Sequence, residues 1–356
     1  MKKHNYSAGP SILPQEVFEK ASQAVLNFNN SGLSILEISH RSKDFVAVMD
    51  EARSLALELL GLEGKGYQAL FLQGGASTAF LMAPYNLMKE NGKAAYLDSG
   101  TWATAAIKEA KYFGETVVVA SSKDQNYNNI PKGYEIPADA DYFHCTSNNT
   151  IFGTQMNDFP ATNVPVVCDM SSDIFSRQLD FSKFDIIYAG AQKNMGPAGT
   201  TLVVIKEEIL EKNGRTIPSM LDYAKHIKAE SMYNTPPVFS VYVSLLTLQW
   251  IKAKGGIAAV EKLNDAKAAL LYAEIDRNPL FKGAAAVEDR SKMNVTFLLN
   301  NDEHAATFDA LWKEAGVSGL PGHRSVGGYR ASIYNAMPIE SVQVLVDVMK
   351  ALETKV

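Results

Sequence analysis

The sequence predicts an α/β protein: a large domain on a mostly parallel seven-stranded sheet, then a smaller α+β domain at the C-terminal end. Three observations predict it. Seven short apolar runs alternate with helical patterns between residues 67 and 205. Near residue 250 the pattern changes to longer amphipathic stretches. The chain has 356 residues, 46% hydrophobic and 21% charged, enough for two domains with buried cores.

The elements follow in order. Over residues 44–60, Phe45, Val48, Met49, Ala52, Leu55, Ala56, Leu59 and Leu60 fall on one helical face, and Gly61 stops it. The apolar runs 67–72, 94–97, 116–120, 141–145, 164–168, 184–189 and 201–205 read as strands of a sheet covered on both faces. Thr235-Pro236-Pro237 reads as a helix start with Thr235 as N-cap, the helix running to about residue 254 and stopping at Gly255-Gly256. A helix over 258–277, a strand over 294–299, a helix over 305–315 and a strand around 329–334 come next. Pro338 opens a terminal helix that buries Val344, Leu345, Val348, Met349 and Leu352.

Composition excludes several functions. A net charge of −5 argues against nucleic acid and anionic membrane surfaces as partners. Lys2 and Lys3 have no apolar run behind them, so no signal peptide is expected, and no apolar run reaches bilayer length. Cys145 and Cys168 read as free thiols in or beside strands, which fits a cytoplasmic protein. The six histidines show no metal-ligand spacing, so no metal is expected.

Chemistry gathers at the expected strand ends, where open α/β sheets bind ligands. Lys193 follows the run 184–189 amid Gly190, Ala191, Gly196 and Gly199, small residues that would let something large reach its amine. Asp169 closes the preceding run, as a turn-capping acid or as a partner for a ligand cation. A lysine and an acid at neighbouring strand ends suit pyridoxal phosphate, which needs a Schiff-base lysine and a carboxylate on its ring nitrogen. Gly74-Gly75-Ala76-Ser77 before a helical pattern offers bare amides for a phosphate. Trp102 follows another strand where it could cover a flat ring, and Thr150 ends a polar run where it could bond ring substituents or phosphate. His40-Arg41 and His323-Arg324, with Arg330 close behind the second pair, suit recognition of carboxylates and phosphates.

These residues carry a family resemblance. Residues 185–203, with Gly190-Ala191-Gln192-Lys193 and Gly199-Thr200-Thr201, resemble the cofactor-lysine signature of the class V aminotransferases, pyridoxal-phosphate enzymes of fold type I. "NYSAGPSILP", "SHRSKDF", "NNTIFGTQ", "CDMSSD", "YNTPPVFSVY" and "GHRSVGGYRASIYNAM" extend the likeness over essentially the whole chain, to the branch that uses L-glutamate and phosphorylated 2-oxo acids. The resemblance implies an arm over residues 1–15 lying with the small domain, a large domain over 16–250 and a small one over 251–356. It implies that Lys193 carries the cofactor, Asp169 pairs with the pyridine nitrogen, and Trp102 stacks on the ring. Thr150 and Gln192 would bond its oxygens or phosphate, and Ala76 and Ser77 its phosphate. Asn234 and Thr235 would reach the cofactor of the other subunit of a homodimer. Arg41 and His40 would meet the distal carboxylate of glutamate, Arg330 its α-carboxylate, and His323 and Arg324 the substrate phosphate. Some members carry Gly-Arg where this chain has Ala76-Ser77, so the anion contact there would come from backbone and hydroxyl.

Within the class, an alanine–glyoxylate aminotransferase is the alternative, but it has no need of doubled His-Arg clusters. A cysteine desulfurase needs a nucleophilic cysteine in the small domain, and no cysteine follows Cys168. A cofactor-binding regulator would carry a DNA-binding segment, and none is expected from a chain that opens near Ser7-Ala8-Gly9-Pro10 and ends in a helix.

Overall fold

The structure is a computed structural model describing residues 3–356, so the first two residues of the expected arm lie outside the described residues. All seven apolar runs are strands of one sheet. Their spatial order is Tyr67–Leu72, Thr201–Lys206, Ile186–Gly190, Val166–Asp169, Tyr142–Thr146, Lys93–Asp98, Glu115–Ser121. Only Thr201–Lys206 runs antiparallel to its neighbours, because a short turn, not a crossover helix, joins it to Ile186–Gly190. The central strands are buried residue after residue, which is why they read as unbroken apolar runs.

The helix Lys43–Leu60 covers one face, burying Phe45, Met49, Ala52 and Ala56. Ser42 Oγ accepts from the Phe45 N–H at 3.4 Å, and Gly61 at φ 65° ends the helix in the left-handed conformation. The other face is covered in part by Gly75–Leu87 and Thr101–Ala110. Truncating a fully buried residue here, such as Met49→Ala, is expected to cost about 2–5 kcal/mol.

Thr235 does not cap a helix. The helix is Val238–Ala253 with Pro237 at its N-cap. Thr235 and Pro236 each precede a proline, which disfavours helical backbone, and the Thr235 carbonyl accepts from Gln73 Nε2 at 2.8 Å instead.

A second core holds Leu271, Ile275, Val295, Phe297, Phe308, Leu345 and Met349. It is built from the sheet Phe281–Gly283, Asn294–Leu299, Tyr329–Ser332 with the helices Ala305–Glu314 and Ile339–Glu353. The helix Gly256–Arg277 joins both cores, giving Ile257 and Val260 to the first and Ala268, Leu271 and Ile275 to the second. At the other end of the chain, His4–Asn5 pairs in parallel with Val317–Ser318, and Tyr6 is buried in the second core. Among the described residues, no helix is long and apolar enough to cross a membrane.

Candidate active site

Six strands point the same way, so their C-terminal ends share one edge of the sheet, and Lys193, Asp169, Thr150, Trp102, Ala76 and Ser77 follow or close those ends. Lys193 lies in the turn after Ile186–Gly190. Its Nζ donates to Thr150 Oγ1 at 2.8 Å and sits 5.9 Å from the centroid of the Trp102 ring. Burial lowers the Lys193 pKa to about 8, Asp169 and Asp173 opposing and Arg330 assisting. An amine so placed is a base near neutral pH.

The small residues around Lys193 have a packing cause. A Cβ on Gly196 would stand 2.4 Å from Ser244 Oγ, and one on Gly199 2.7 Å from Ser240 Oγ. The helix Val238–Ala253 presses on the turn, and side chains there would push it off. Access to the amine is therefore not what those two glycines provide. On the other side the N-terminal segment closes in. The Ser11 N–H donates to the Gln192 carbonyl at 2.9 Å, and Ser11 Oγ donates to the Lys193 carbonyl. The Gln192 side chain folds back toward Gly190, where a Cβ would lie 2.6 Å from its Oε1.

Asp169 ends its strand fully in the protein, and burial raises its pKa while Lys193 pulls it down. It caps no helix: its Oδ1 accepts the Ser171 N–H at 2.9 Å across a turn. Behind it, Asp173 forms a buried ion pair with Arg177 at 3.0 Å and accepts from Gln155 Nε2 at 3.1 Å. Thr150 sits in a tight hairpin between Asn148–Asn149 and Thr154–Gln155. Trp102 opens the helix Thr101–Ala110 and is 38% exposed, so one side of the indole is free to cover a ligand. Gly100 before it must be glycine, since a Cβ would stand 2.6 Å from Asn149 Oδ1.

Ala76 and Ser77 lie in the first turn of Gly75–Leu87, where backbone amides have no carbonyl one turn earlier. Gly74 makes that entry at φ 97°, and a Cβ there would strike Thr78 Oγ1. Asn234 lines a cavity of about 220 Å³ with Gly74, Thr78 and Pro236, so 234–235 lie beside this same helix start.

Arg330 comes from the strand Tyr329–Ser332 of the three-stranded sheet. Its Nη1 donates to the Thr150 carbonyl at 3.3 Å, its buried Nε has no partner among the described residues, and burial lowers its pKa. A buried donor without an acceptor marks a place for an anion. Burial and the cations of Arg330 and Arg324 lower the His323 pKa, so these three residues share one region. Arg324 itself is exposed. His40 and Arg41 stand apart: Arg41 is exposed and makes no ion pair among the described residues, and the buried His40 Nε2 has no partner.

The groups fit pyridoxal phosphate. They comprise an amine unbridged by any carboxylate, a buried acid, an exposed indole, open helix-start amides and an orphaned guanidinium nitrogen. No cluster of three histidine, cysteine or acid side chains able to hold a metal occurs among the described residues. Sequence reasoning missed Ser11 and Asp173–Arg177. Ser11 lay inside a quoted motif, and the spacing of Asp173 and Arg177, four apart, was a readable signal.

Comparison with known proteins adds the following. The sequence profile of the family described as Aminotransferase class-V matches residues 4–345. The phosphoserine aminotransferase of Flavobacterium johnsoniae is 92% identical, with all of both chains covered. The solved phosphoserine aminotransferase of Bacillus circulans subsp. alkalophilus is 44% identical over 99% of each chain, with a TM-score of 0.96. The pyridoxal-phosphate-bound enzyme of Trichomonas vaginalis is 37% identical over 98% of this chain and 100% of its own, with a TM-score of 0.93.

Proposed function

The chain belongs to the class-V aminotransferase family, and we propose that it moves the amino group of L-glutamate to 3-phosphohydroxypyruvate, giving 2-oxoglutarate and O-phospho-L-serine. The observation that carries the reading is the Lys193 amine, set toward neutrality by burial, between Thr150 and the Trp102 ring with Asp169 and Arg330 in electrostatic reach. When bound, pyridoxal phosphate supplies the electron sink that makes the substrate Cα–H acidic and holds the amino group between the two half-reactions.

The residues divide the remaining work. Lys193 is the covalent attachment point. Once displaced by the incoming substrate amine, its Nζ would take the proton from Cα and deliver it to the carbon on the far side of the transferred nitrogen, a 1,3-shift. A pKa near 8 suits both halves of that transfer. Asp169 would hold positive charge on the ring nitrogen as a carboxylate, the form that Lys193 and the Ser171 hydrogen bond favour against burial. Trp102 covers one ring face and keeps water off it. The first amides of Gly75–Leu87, at Ala76 and Ser77, hold the cofactor phosphate, with Thr150 and Gln192 bonding its oxygens. Arg330 takes the α-carboxylate, Arg41 and His40 the distal carboxylate, and His323 and Arg324 the substrate phosphate.

The active unit in this reading is a homodimer in which Asn234 and Thr235 serve the partner's cofactor; the exposed Leu26, Leu33 and Leu36 support a covered surface. Light scattering on the purified protein tests it. The reaction runs in the cytoplasm, consistent with two free buried thiols.

The experiment is direct. Protein loaded with pyridoxal phosphate is given glutamate and either 3-phosphohydroxypyruvate or the related four-carbon phospho-keto acid of vitamin B6 synthesis, and 2-oxoglutarate release is followed. Release with 3-phosphohydroxypyruvate is expected. No release with it, or faster turnover of alanine with glyoxylate, overturns the reading.

A further inference from the structure

A second, more deeply buried amine lies outside this site. Lys267, in the middle of Gly256–Arg277, is only 1% exposed. Its Nζ donates to the carbonyls of Ile333 at 2.9 Å and Tyr334 at 2.6 Å. One helical turn earlier on the same face, Asn264 Nδ2 donates to Asn335 Oδ1 at 2.8 Å and to the Ser176 carbonyl at 2.9 Å. The helix thus grips three consecutive residues, 333–335.

Those three residues lead two ways. Upstream, the strand Tyr329–Ser332 carries Arg330. Downstream, the Asn335 N–H donates to Asn194 Oδ1 at 3.0 Å, and Asn194 is joined directly to Lys193. Asn335 Nδ2 also donates to the Phe175 carbonyl at 3.0 Å, holding a bulky residue at φ 57°, a conformation it would otherwise avoid. Tyr334 adds a bond from its hydroxyl to the Ala8 carbonyl at 2.7 Å. An apolar side chain would fill the site of Lys267 without its desolvation cost, so the amine is there for the carbonyls it holds.

We propose that Lys267 is a positioning residue for the transamination: closed on Ile333 and Tyr334, its amine N–H groups fix the segment that sets both Arg330 and the Asn194–Lys193 turn. The inference rests on the reading of Lys193 and Arg330 given above. Burial brings the pKa of this amine down to about 7, and no acid pairs with it among the described residues. Removing the donor leaves two buried carbonyls short of a partner and releases residues 333–335 from the helix.

Two variants test this, Lys267→Met, which keeps the stem, and Lys267→Gln, which keeps one donor group. Amide hydrogen exchange of the cofactor-free proteins is expected to quicken at 330–335 and 193–195 in the methionine variant, with the distant strand Glu115–Ser121 unchanged. In the loaded enzyme the KM for glutamate rises roughly tenfold in that variant, and less in the glutamine variant. Exchange that quickens everywhere or nowhere, or a lower melting point with KM unchanged, overturns the proposal and assigns Lys267 to stability alone. If Lys267→Met does not fold, the glutamine variant and the same exchange map decide. The exchange result is independent of substrate, so failure of the functional reading would show separately, as wild-type protein without turnover.

Discussion

Lys193 and Lys267 are both lysines whose pKa burial lowers, to about 8 and about 7, yet they occupy opposite kinds of region. Lys193 stands in a turn at the sheet edge, with one hydroxyl partner, an indole 5.9 Å away and a side chain still partly open to solvent. Lys267 stands inside a helix with both neighbouring carbonyls already engaged. The larger shift belongs to the amine that cannot react. A lowered pKa shows burial; reactivity also needs an open face and groups that stabilise what the amine will do.

That contrast can be broken at several points. The largest effect belongs to Lys193→Ala, expected to lower turnover by at least about a thousandfold and to remove the visible absorbance of the loaded protein. Near-normal turnover in a folded variant would put the chemistry elsewhere. Asp169→Asn is expected to lower kcat about a hundredfold with KM little changed, because it removes charge stabilisation and not substrate contact. A rise in KM alone would make Asp169 a binding residue. Arg330→Ala is expected to raise the KM for glutamate tenfold or somewhat more, roughly the worth of a charge-assisted bond. Arg324→Ala is expected to act more weakly, roughly a few-fold on the KM of the phosphorylated substrate alone. Its effect should fade with added salt, because the residue is exposed.

A stability measurement sharpens the Lys267 side. Its folded pKa of about 7 lies below its ordinary 10.5, so between those values the unfolded chain binds more protons. Stability therefore rises with pH across that window, by up to about 1.4 kcal/mol per pH unit from this group. Denaturant unfolding of the wild type and Lys267→Met from pH 7 to 9 checks it. The variant is expected to show the flatter pH dependence, and parallel curves would contradict the shift.

Much of this was legible in the sequence. Central strands buried on both faces leave unbroken apolar runs, and the more exposed edge strand Glu115–Ser121 was readable from its run of three valines; Lys193 and Asp169 were found because both stand at the ends of such runs. What escaped depends on contacts between distant residues. Ser11 and Lys193 are 182 positions apart, and the pairing of His4–Asn5 with Val317–Ser318 is too short to leave a period. The roles of Lys267 and Asn335 exist only once the helix Gly256–Arg277 lies against residues 333–335. The Thr235 error was local: Thr before Pro-Pro looked like a cap, while the prolines kept the backbone extended and delayed the helix to Val238.

Borohydride reduction of the protein loaded with pyridoxal phosphate, followed by peptide mass mapping, puts the two lysines in direct competition. The expected result is a phosphopyridoxyl adduct on Lys193 and none on Lys267. An adduct at Lys267, or one that persists in Lys193→Ala at another lysine with turnover intact, would contradict the assignment of the reactive amine.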